Sequence, residues 1–433
     1  MSALRFRRFA RTPREHGPEQ PIVLLVQALV LFESILYSVV TPVLPHYAHT
    51  LGASKPSIGL LVAAYPAGML PGALLGGWIA TRFGVRRTTL VGLLLFAASV
   101  TAFGFGRTTV TLDALRFVQG IACGCISSGG LTWVIAIAPR ERRGELLGSV
   151  MAASIFGTIL GPVMGTAAVA LGTDVVFTFL GAVAAGLAAW TFGRPQPPPA
   201  ETGEGAPLRV LLSSPKMMLG LWLVLLEAAA LGALGTLLPL RLSRFGASGV
   251  AVGITFVLAS VLSMLVAPAI GRTTDRRGAG VPLCAGLLTA AVLLALMPLP
   301  HTVFLLAVVS VITVGGPLTA YTIPAMSVMT DSSERIGIAL IVSSMLFNIS
   351  WAIGETIGAP AAASISQATS DAVPMVALAV IMVATSAAVI ATGLVRRSGK
   401  SAQEADPRSA GEARTERPGQ DVREAEPIKV VSR

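Results

Sequence analysis

Charged residues are scarce in this chain. Asp, Glu, Lys and Arg together make up 12% of its 433 residues, about half the share found in soluble globular domains, which argues against a water-soluble fold. Cysteine is nearly absent. Cys123, Cys125 and Cys284 are the only three. All fall inside apolar stretches, and the first two sit too close along one helix to bridge, so neither a disulfide framework nor metal-ligand spacing is present. No phosphate-binding loop, metal cluster or nucleophile–base arrangement occurs, so an enzymatic reading finds no support and no cofactor is implied. A cleavable leader is not expected either. The apolar segment that follows Arg5 to Arg14 is too long, contains Glu33 and lacks a small-x-small cleavage site.

Apolar residues fill the space that charge leaves. They amount to 53% of the chain, with a mean hydropathy of +0.75. Runs long enough to cross ~30 Å of hydrocarbon are expected near 22–45, 56–80, 88–107, 109–137, 145–171, 174–193, 217–239, 249–271, 281–299, 302–329, 337–364 and 373–395. That makes twelve spans. If both termini are cytoplasmic, the near-membrane basic residues on the opposite side are only Lys55, Arg107, Arg241 and Arg244, against 21 on the cytoplasmic side. Such a bias fixes orientation by the positive-inside rule. The net charge of +10 is thereby explained by loops facing anionic membrane lipid, and no nucleic-acid partner is needed.

The chain repeats itself. A shift of 194 places Glu33 on Glu227, Leu44-Pro45 on Leu238-Pro239, and Gly52-Ala53-Ser54 on Gly246-Ala247-Ser248. The same shift aligns Gly77 with Gly271, Arg82 with Arg276 and Gly84 with Gly278, while a shift of 193 sets Gly161-x-x-x-Gly165 on Gly354-x-x-x-Gly358. The expected fold is therefore all-α and membrane-embedded: twelve transmembrane helices as two six-helix bundles, related by a pseudo-two-fold axis along the membrane normal. A basic cytoplasmic N-terminus (1–21) would precede the first bundle (22–193). A Pro/Gly-rich cytoplasmic linker (194–216), the second bundle (217–395) and a disordered cytoplasmic tail (396–433) would follow.

Glu33 and Glu227 lie in the middle of apolar spans, where a carboxylate costs roughly 2.5–3.5 kcal/mol on insertion scales and marks function by default. Their matched positions point to a central ion-handling site between the halves. A pair of hydrogen-bonded structural acids is the plainer alternative. Tyr37 follows Glu33 by one turn on the same face, where its ring could contact a cation. A third acid, Glu355, stands in span 11, either as a second proton site or as a structural acid bonded to Asn348 or a neighbouring helix.

The loops and spans carry motifs that resemble the major facilitator superfamily over residues 22–395, and specifically its drug:proton antiporter branch. Gly77-Trp78-Ile79-Ala80-Thr81-Arg82-Phe83-Gly84-Val85-Arg86-Arg87 resembles the family's Gly-x-Leu-Ala-Asp-Arg-x-Gly-Arg loop, and Gly271 to Gly278, with Asp275 and Arg276, is its second copy. The glycines there suit a tight turn and close helix approach, and an acid at the start of the next helix would favour its positive end. Thr81 replaces the family's Asp, which weakens the charged latch expected on that side. Arg116-Phe117-Val118-Gln119-Gly120 matches Arg-x-x-Gln-Gly; the resemblance implies a buried Arg116 near the central cavity. Asp113, three positions earlier, could pair with it on one helix face; snorkelling to the outer interface alongside Asp113 is the alternative. Gly157-x-x-x-Gly161-Pro162-x-x-Gly165 matches the antiporter motif, a kinked and close-packed helix sealing the halves. Leu31 to Pro45 resembles the first helix of vesicular amine transporters, where an Asp at the position of Glu33 pairs with a substrate ammonium.

The resemblance implies a proton-coupled, alternating-access exporter of cationic or amphipathic small molecules, of the multidrug-efflux and antibiotic-resistance type. It would be monomeric, multi-pass in the cell membrane, with both termini cytoplasmic. Export of neutral or anionic metabolites, sugars or amino acids is a second reading, with Arg116 as the binding charge. A non-transporting receptor or scaffold is a third.

Overall fold

The computed structural model describes residues 20–137, 143–196, 214–336 and 340–393. Most of the N-terminal arm, most of the linker and the C-terminal tail lie outside the described residues. Those described are helical, with no strand among them. The first half comprises α1 (Gln20–Ser38), a 3₁₀ turn (Thr41–Val43), α2 (Leu44–Thr50), α3 (Lys55–Phe83), α4 (Val85–Gly104), α5 (Thr109–Ile137), α6 (Arg143–Leu171) and α7 (Thr173–Phe192). The second comprises α8 (Pro215–Arg244), α9 (Gly249–Arg277), α10 (Gly280–Leu296), α11 (Val303–Thr313), a π-helical turn (Val314–Leu318), α12 (Thr319–Ile336), α13 (Leu340–Ala368) and α14 (Ala372–Thr392). Taking α1 with α2, and α11 with α12, as single broken spans gives the twelve expected.

The repeat in the sequence is a repeat in backbone geometry. Gly52 and Gly246 both adopt positive φ, 60° and 92°, and so do Gly84 and Gly278, at 86° and 78°; only glycine holds such turns without strain. Directly after the first pair, Ser54 and Ser248 cap α3 and α9 by accepting from the backbone N–H groups of Ser57 and Ala251. The two halves part company at the π-helical turn, which α5 lacks, and at one proline. The 194 shift sets Pro42 against Thr236. Pro42 has no N–H to give and its ring clashes with the preceding turn, and α1 stops at Ser38 before re-forming as a 3₁₀ turn. Thr236 instead donates to the Gly232 carbonyl, and α8 runs unbroken for 30 residues.

Each half has its own apolar core. One is built around Leu25, Phe96, Phe103 and Phe177, the other around Leu223, Leu287, Tyr321 and Met382. Side chains such as Leu74, Val110 and Phe304 point outward, as they must where the surroundings are lipid. We call the membrane side on which α1 begins the near side, and the other the far side. Within each half the connections are short, so successive spans alternate direction.

The halves meet tightly on the far side. Gly59, near the start of α3, faces Ala359, Pro360 and Ala363 near the end of α13; a Cβ there would lie 2.8–2.9 Å from them. Gly253 of α9 meets Thr166 and the Pro162 carbonyl of α6, and Gly249 meets Val169.

Candidate functional site

The three intramembrane acids are all withdrawn from the surface: Glu33 is 8% exposed, Glu227 5% and Glu355 5%. Each has a neutral hydroxyl partner. Ser127 of α5 donates to both oxygens of Glu33, at 3.2 and 3.1 Å. Thr322 of α12 donates to Glu227 Oε1, while Glu227 Oε2 is buried with no hydrogen-bond partner. Tyr37 of α1 donates to Glu355 Oε2 at 2.8 Å. Among the described residues no Lys or Arg makes an ion pair with any of the three.

Glu33 and Glu227 thus each bond within their own half, α1 to α5 and α8 to α12, and the duplicate halves repeat the acid–hydroxyl pair as well as the acid. Ser127 and Thr322 were not singled out from the sequence. The repeat held the signal, because the shift that aligns the acids brings Ser127 to within one residue of Thr322. Thr322 lies one turn beyond the π-helical segment Val314–Leu318, a local widening of the kind often found at functional sites. The third acid is the one that crosses between bundles. Glu355 belongs to α13 and Tyr37 to α1, so their bond spans the two halves, from the last turn of α1 to the middle of α13. Glu355 also lies against Gly232 of α8. Its hydroxyl partner thus comes from a neighbouring helix.

Arg116 is 2% exposed. Its guanidinium donates to the carbonyls of Leu36 at 2.9 Å and Tyr37 at 3.3 Å, and to Gln119 Oε1 at 3.1 Å, and it stacks over the Tyr65 ring. These carbonyls belong to the last turn of α1, where the break ahead of Pro42 leaves them without helical donors. Arg116 therefore closes the broken end of α1, and the pairing with Asp113 does not occur: Asp113 Oδ1 has no hydrogen-bond partner. The alternative of snorkelling to the interface fails for the same reason, since the backbone carbonyls are a nearer and drier destination. The second half, with an unbroken α8, has Ser310 at the matching position. Tyr37 is consequently held twice, by its carbonyl from Arg116 and by its hydroxyl from Glu355. Its ring meets Tyr65 edge-on at 5.9 Å.

The antiporter-type glycines pack as their spacing requires. Gly157 lies against Leu31 and Ser34, Gly161 against Ile35 and Ser38, and Gly165 against Val39 and Pro42, so α6 is seated along α1 with Pro162 inside the helix. The contact with the other half comes from the adjoining face of the same stretch, at the Pro162 carbonyl and Thr166. Two expectations for the near-side loops are corrected. Asp275 lies in the last turn of α9, not at the start of the next helix, and Thr81 lies in the last turn of α3, where its hydroxyl donates to the Trp78 carbonyl. Neither can cap the following helix. Gly84 and Gly278 do make the tight turns, but Gly77 and Gly271 have nothing within 4 Å of a built Cβ, so no helix approaches closely there. Arg82 extends over Trp78, and Thr81, Arg82, Asp275 and Arg276 are exposed.

Comparison with known proteins agrees with this arrangement. The Major Facilitator Superfamily profile matches residues 28–355. The uncharacterized MFS-type transporter YcaD of Escherichia coli (strain K12) is 26% identical over 259 residues, covering 60% of this chain and 68% of that protein. Among solved structures, an inward-facing, occupied bacterial homologue of the human lysosomal transporter Spinster superimposes with a TM-score of 0.73 at 15% identity, covering 88% of this chain and 98% of that one. A D-xylose–proton symporter does so with a TM-score of 0.66 at 16% identity, covering 84% and 96%. A profile match over most of the chain, on two six-helix bundles enclosing buried acids, makes this protein a member of the Major Facilitator Superfamily, a multi-pass membrane transporter of small molecules.

Proposed function

We propose that the protein exports small organic cations, drugs among them, in exchange for protons, and that it works as a monomer in the cell membrane with both termini cytoplasmic. One observation carries this reading: three buried carboxyls, on α1, α8 and α13, each take a hydroxyl donor, with the Cys123 thiol beside Glu33 and the Trp351 indole beside Glu355, and none forms an ion pair with a Lys or Arg of the described residues. A buried carboxylate without a cation is costly, so such a group must hold a proton or acquire a cation from elsewhere. It cannot hold both at once. That competition is sufficient for exchange. A proton entering from outside displaces the cargo ammonium outward; the protonated site then returns and releases its proton inside. The membrane potential adds ~2.3 kcal/mol per net charge moved per 100 mV. The inside assignment follows from the excess of Lys and Arg on the near side.

Neutral or anionic cargo held by Arg116 is the weaker reading, because that guanidinium is already committed to the carbonyls of Leu36 and Tyr37. The test is transport in proteoliposomes under an imposed pH gradient, with cationic dyes beside neutral antibiotics. Cationic substrates should move and neutral ones should not. Glu33→Gln, which keeps shape and hydrogen bonding but cannot ionise, should abolish gradient-driven transport while the protein remains folded. Undiminished transport by that variant would remove the role given to Glu33.

A further inference from the structure

Of the four exceptions that positive-inside counting leaves on the far side, Lys55, Arg241 and Arg244 are each bonded. Arg241 donates to the carbonyls of Met297, Pro298 and Pro300 and ties down the connection between α10 and α11. Lys55 and Arg244 converge on one acid, Asp371, the residue preceding α14. Lys55 Nζ lies 2.6 Å from Asp371 Oδ1 and 2.8 Å from Ser366 Oγ, and Arg244 Nη1 lies 3.2 Å from Asp371 Oδ2. Ser366 also donates to Asp371 Oδ1. The side chains of Lys55 and Asp371 are only 21% and 13% exposed. Lys55 opens α3 in the first half; Asp371, Ser366 and Arg244 come from α14, α13 and α8 in the second.

We infer that Lys55 and Asp371 form the latch that closes the far side of the transporter, with Ser366 and Arg244 holding Asp371 in position for Lys55. The latch sits at the rim of the seam where Gly59 packs on Ala359, Pro360 and Ala363, so the bundles cannot part on that side while it is intact. Both oxygens of Asp371 are engaged, one by each cation. Loss of Lys55 leaves the acid to Arg244 within its own half and cuts the link between halves, whereas loss of Arg244 leaves that link in place. The two cations are therefore unequal in a way that a merely structural ion cluster would not be.

The experiment measures access to the seam without requiring transport, so its failure is separable from failure of the exchange reading. In the full-length protein with Cys123, Cys125 and Cys284 replaced by Ser, Ala363→Cys is labelled with a membrane-impermeant maleimide added from the far side of oriented vesicles. Ala363 is fully buried, so labelling should be slow in this background. Lys55→Gln and Asp371→Asn should each raise the labelling rate several-fold. Lys55→Arg should restore slow labelling, and Arg244→Gln should have a smaller effect than Lys55→Gln. Monodisperse elution and an unchanged unfolding transition of Lys55→Gln exclude a general loosening. Labelling of Lys55→Gln at the starting rate, or equal effects of Lys55→Gln and Arg244→Gln, would overturn the assignment.

Discussion

The arginine at position 116 is explained by the proline at 42. Pro42 ends α1 early, two carbonyls are left in a place water does not reach, and a planar five-donor guanidinium satisfies both at once. Arg116→Met should therefore cost on the order of 2–4 kcal/mol, because each stranded carbonyl carries a penalty of about 1–3 kcal/mol. Thermal or denaturant unfolding in detergent reads this directly. In a Pro42→Thr background, where the first half acquires the residue of the second and α1 can continue, the same substitution should cost less; the double-mutant cycle measures the difference. At Glu227 the consequence concerns transport. Thr322→Val removes the acid's hydroxyl donor and leaves both oxygens without a partner, so proton-driven exchange should slow more than binding weakens. Comparing maximal rate with half-saturation in proteoliposomes separates the two.

Helix contacts show which glycines are needed for packing and which are not. Gly68, Gly72 and Gly76 of α3 interlock with Gly120 and Gly124 of α5 at backbone distance; a Cβ on Gly72 would run into the backbone of Ile121. Gly72→Ala should destabilise by about 1–3 kcal/mol, the usual cost of overpacking, seen as a lower unfolding temperature. Gly77, one residue beyond this ridge, faces open space. Gly77→Ala should slightly stabilise the far-closed arrangement, since Ala is favoured over Gly by about 1 kcal/mol in a helix. It should nevertheless slow transport, because closing the near side must bring a neighbour against this surface. Measuring unfolding temperature and transport rate on the same preparation tests both halves of that statement.

Under the exchange mechanism proposed above, closure alternates between two sides that differ in chemistry. The far side is held by ions and close helix packing, while the near side presents exposed loop residues, among them Thr81 where a charged residue would strengthen a latch. Thr81→Asp should shift the population toward near-side closure, observed as reduced near-side cysteine labelling. The far-side latch should ignore pH across the working range. Burial by itself would raise the Asp371 carboxyl, but the hydrogen bond and charge of Lys55, the hydroxyl of Ser366 and the charge of Arg244 outweigh it and hold the group below the usual aspartate range. The folded form therefore binds its proton more weakly than the unfolded chain. Its stabilisation is complete above the ordinary aspartate value and is lost only as pH falls through the lower, folded one. Labelling of Ala363→Cys, taken relative to a freely exposed cysteine at each pH because the thiolate fraction itself rises with pH, should stay flat between about pH 5 and pH 8, leaving any pH dependence of transport in that window to the buried acids.

Apolar run length and the distribution of Lys and Arg determined the twelve spans, and the 194-residue shift determined the two bundles, because a bilayer imposes length, polarity and sidedness on each segment separately. Matched glycines at positive φ were legible for the same reason: a turn is a local object. The three acids were legible as costly exceptions in apolar spans. Their partners were not, beyond the near-match of Ser127 and Thr322 in the repeat. Ser127, Thr322 and the Tyr37–Glu355 bond depend on which helices lie side by side, and a hydroxyl in a helix has no sequence mark that tells its own backbone carbonyl from an acid on another helix. The commitment of Arg116 to α1 and the convergence of Lys55 and Arg244 on Asp371 likewise needed the tertiary structure. Charge can be counted along a chain, but an ion pair exists only where the fold brings two residues 316 apart to within 2.6 Å.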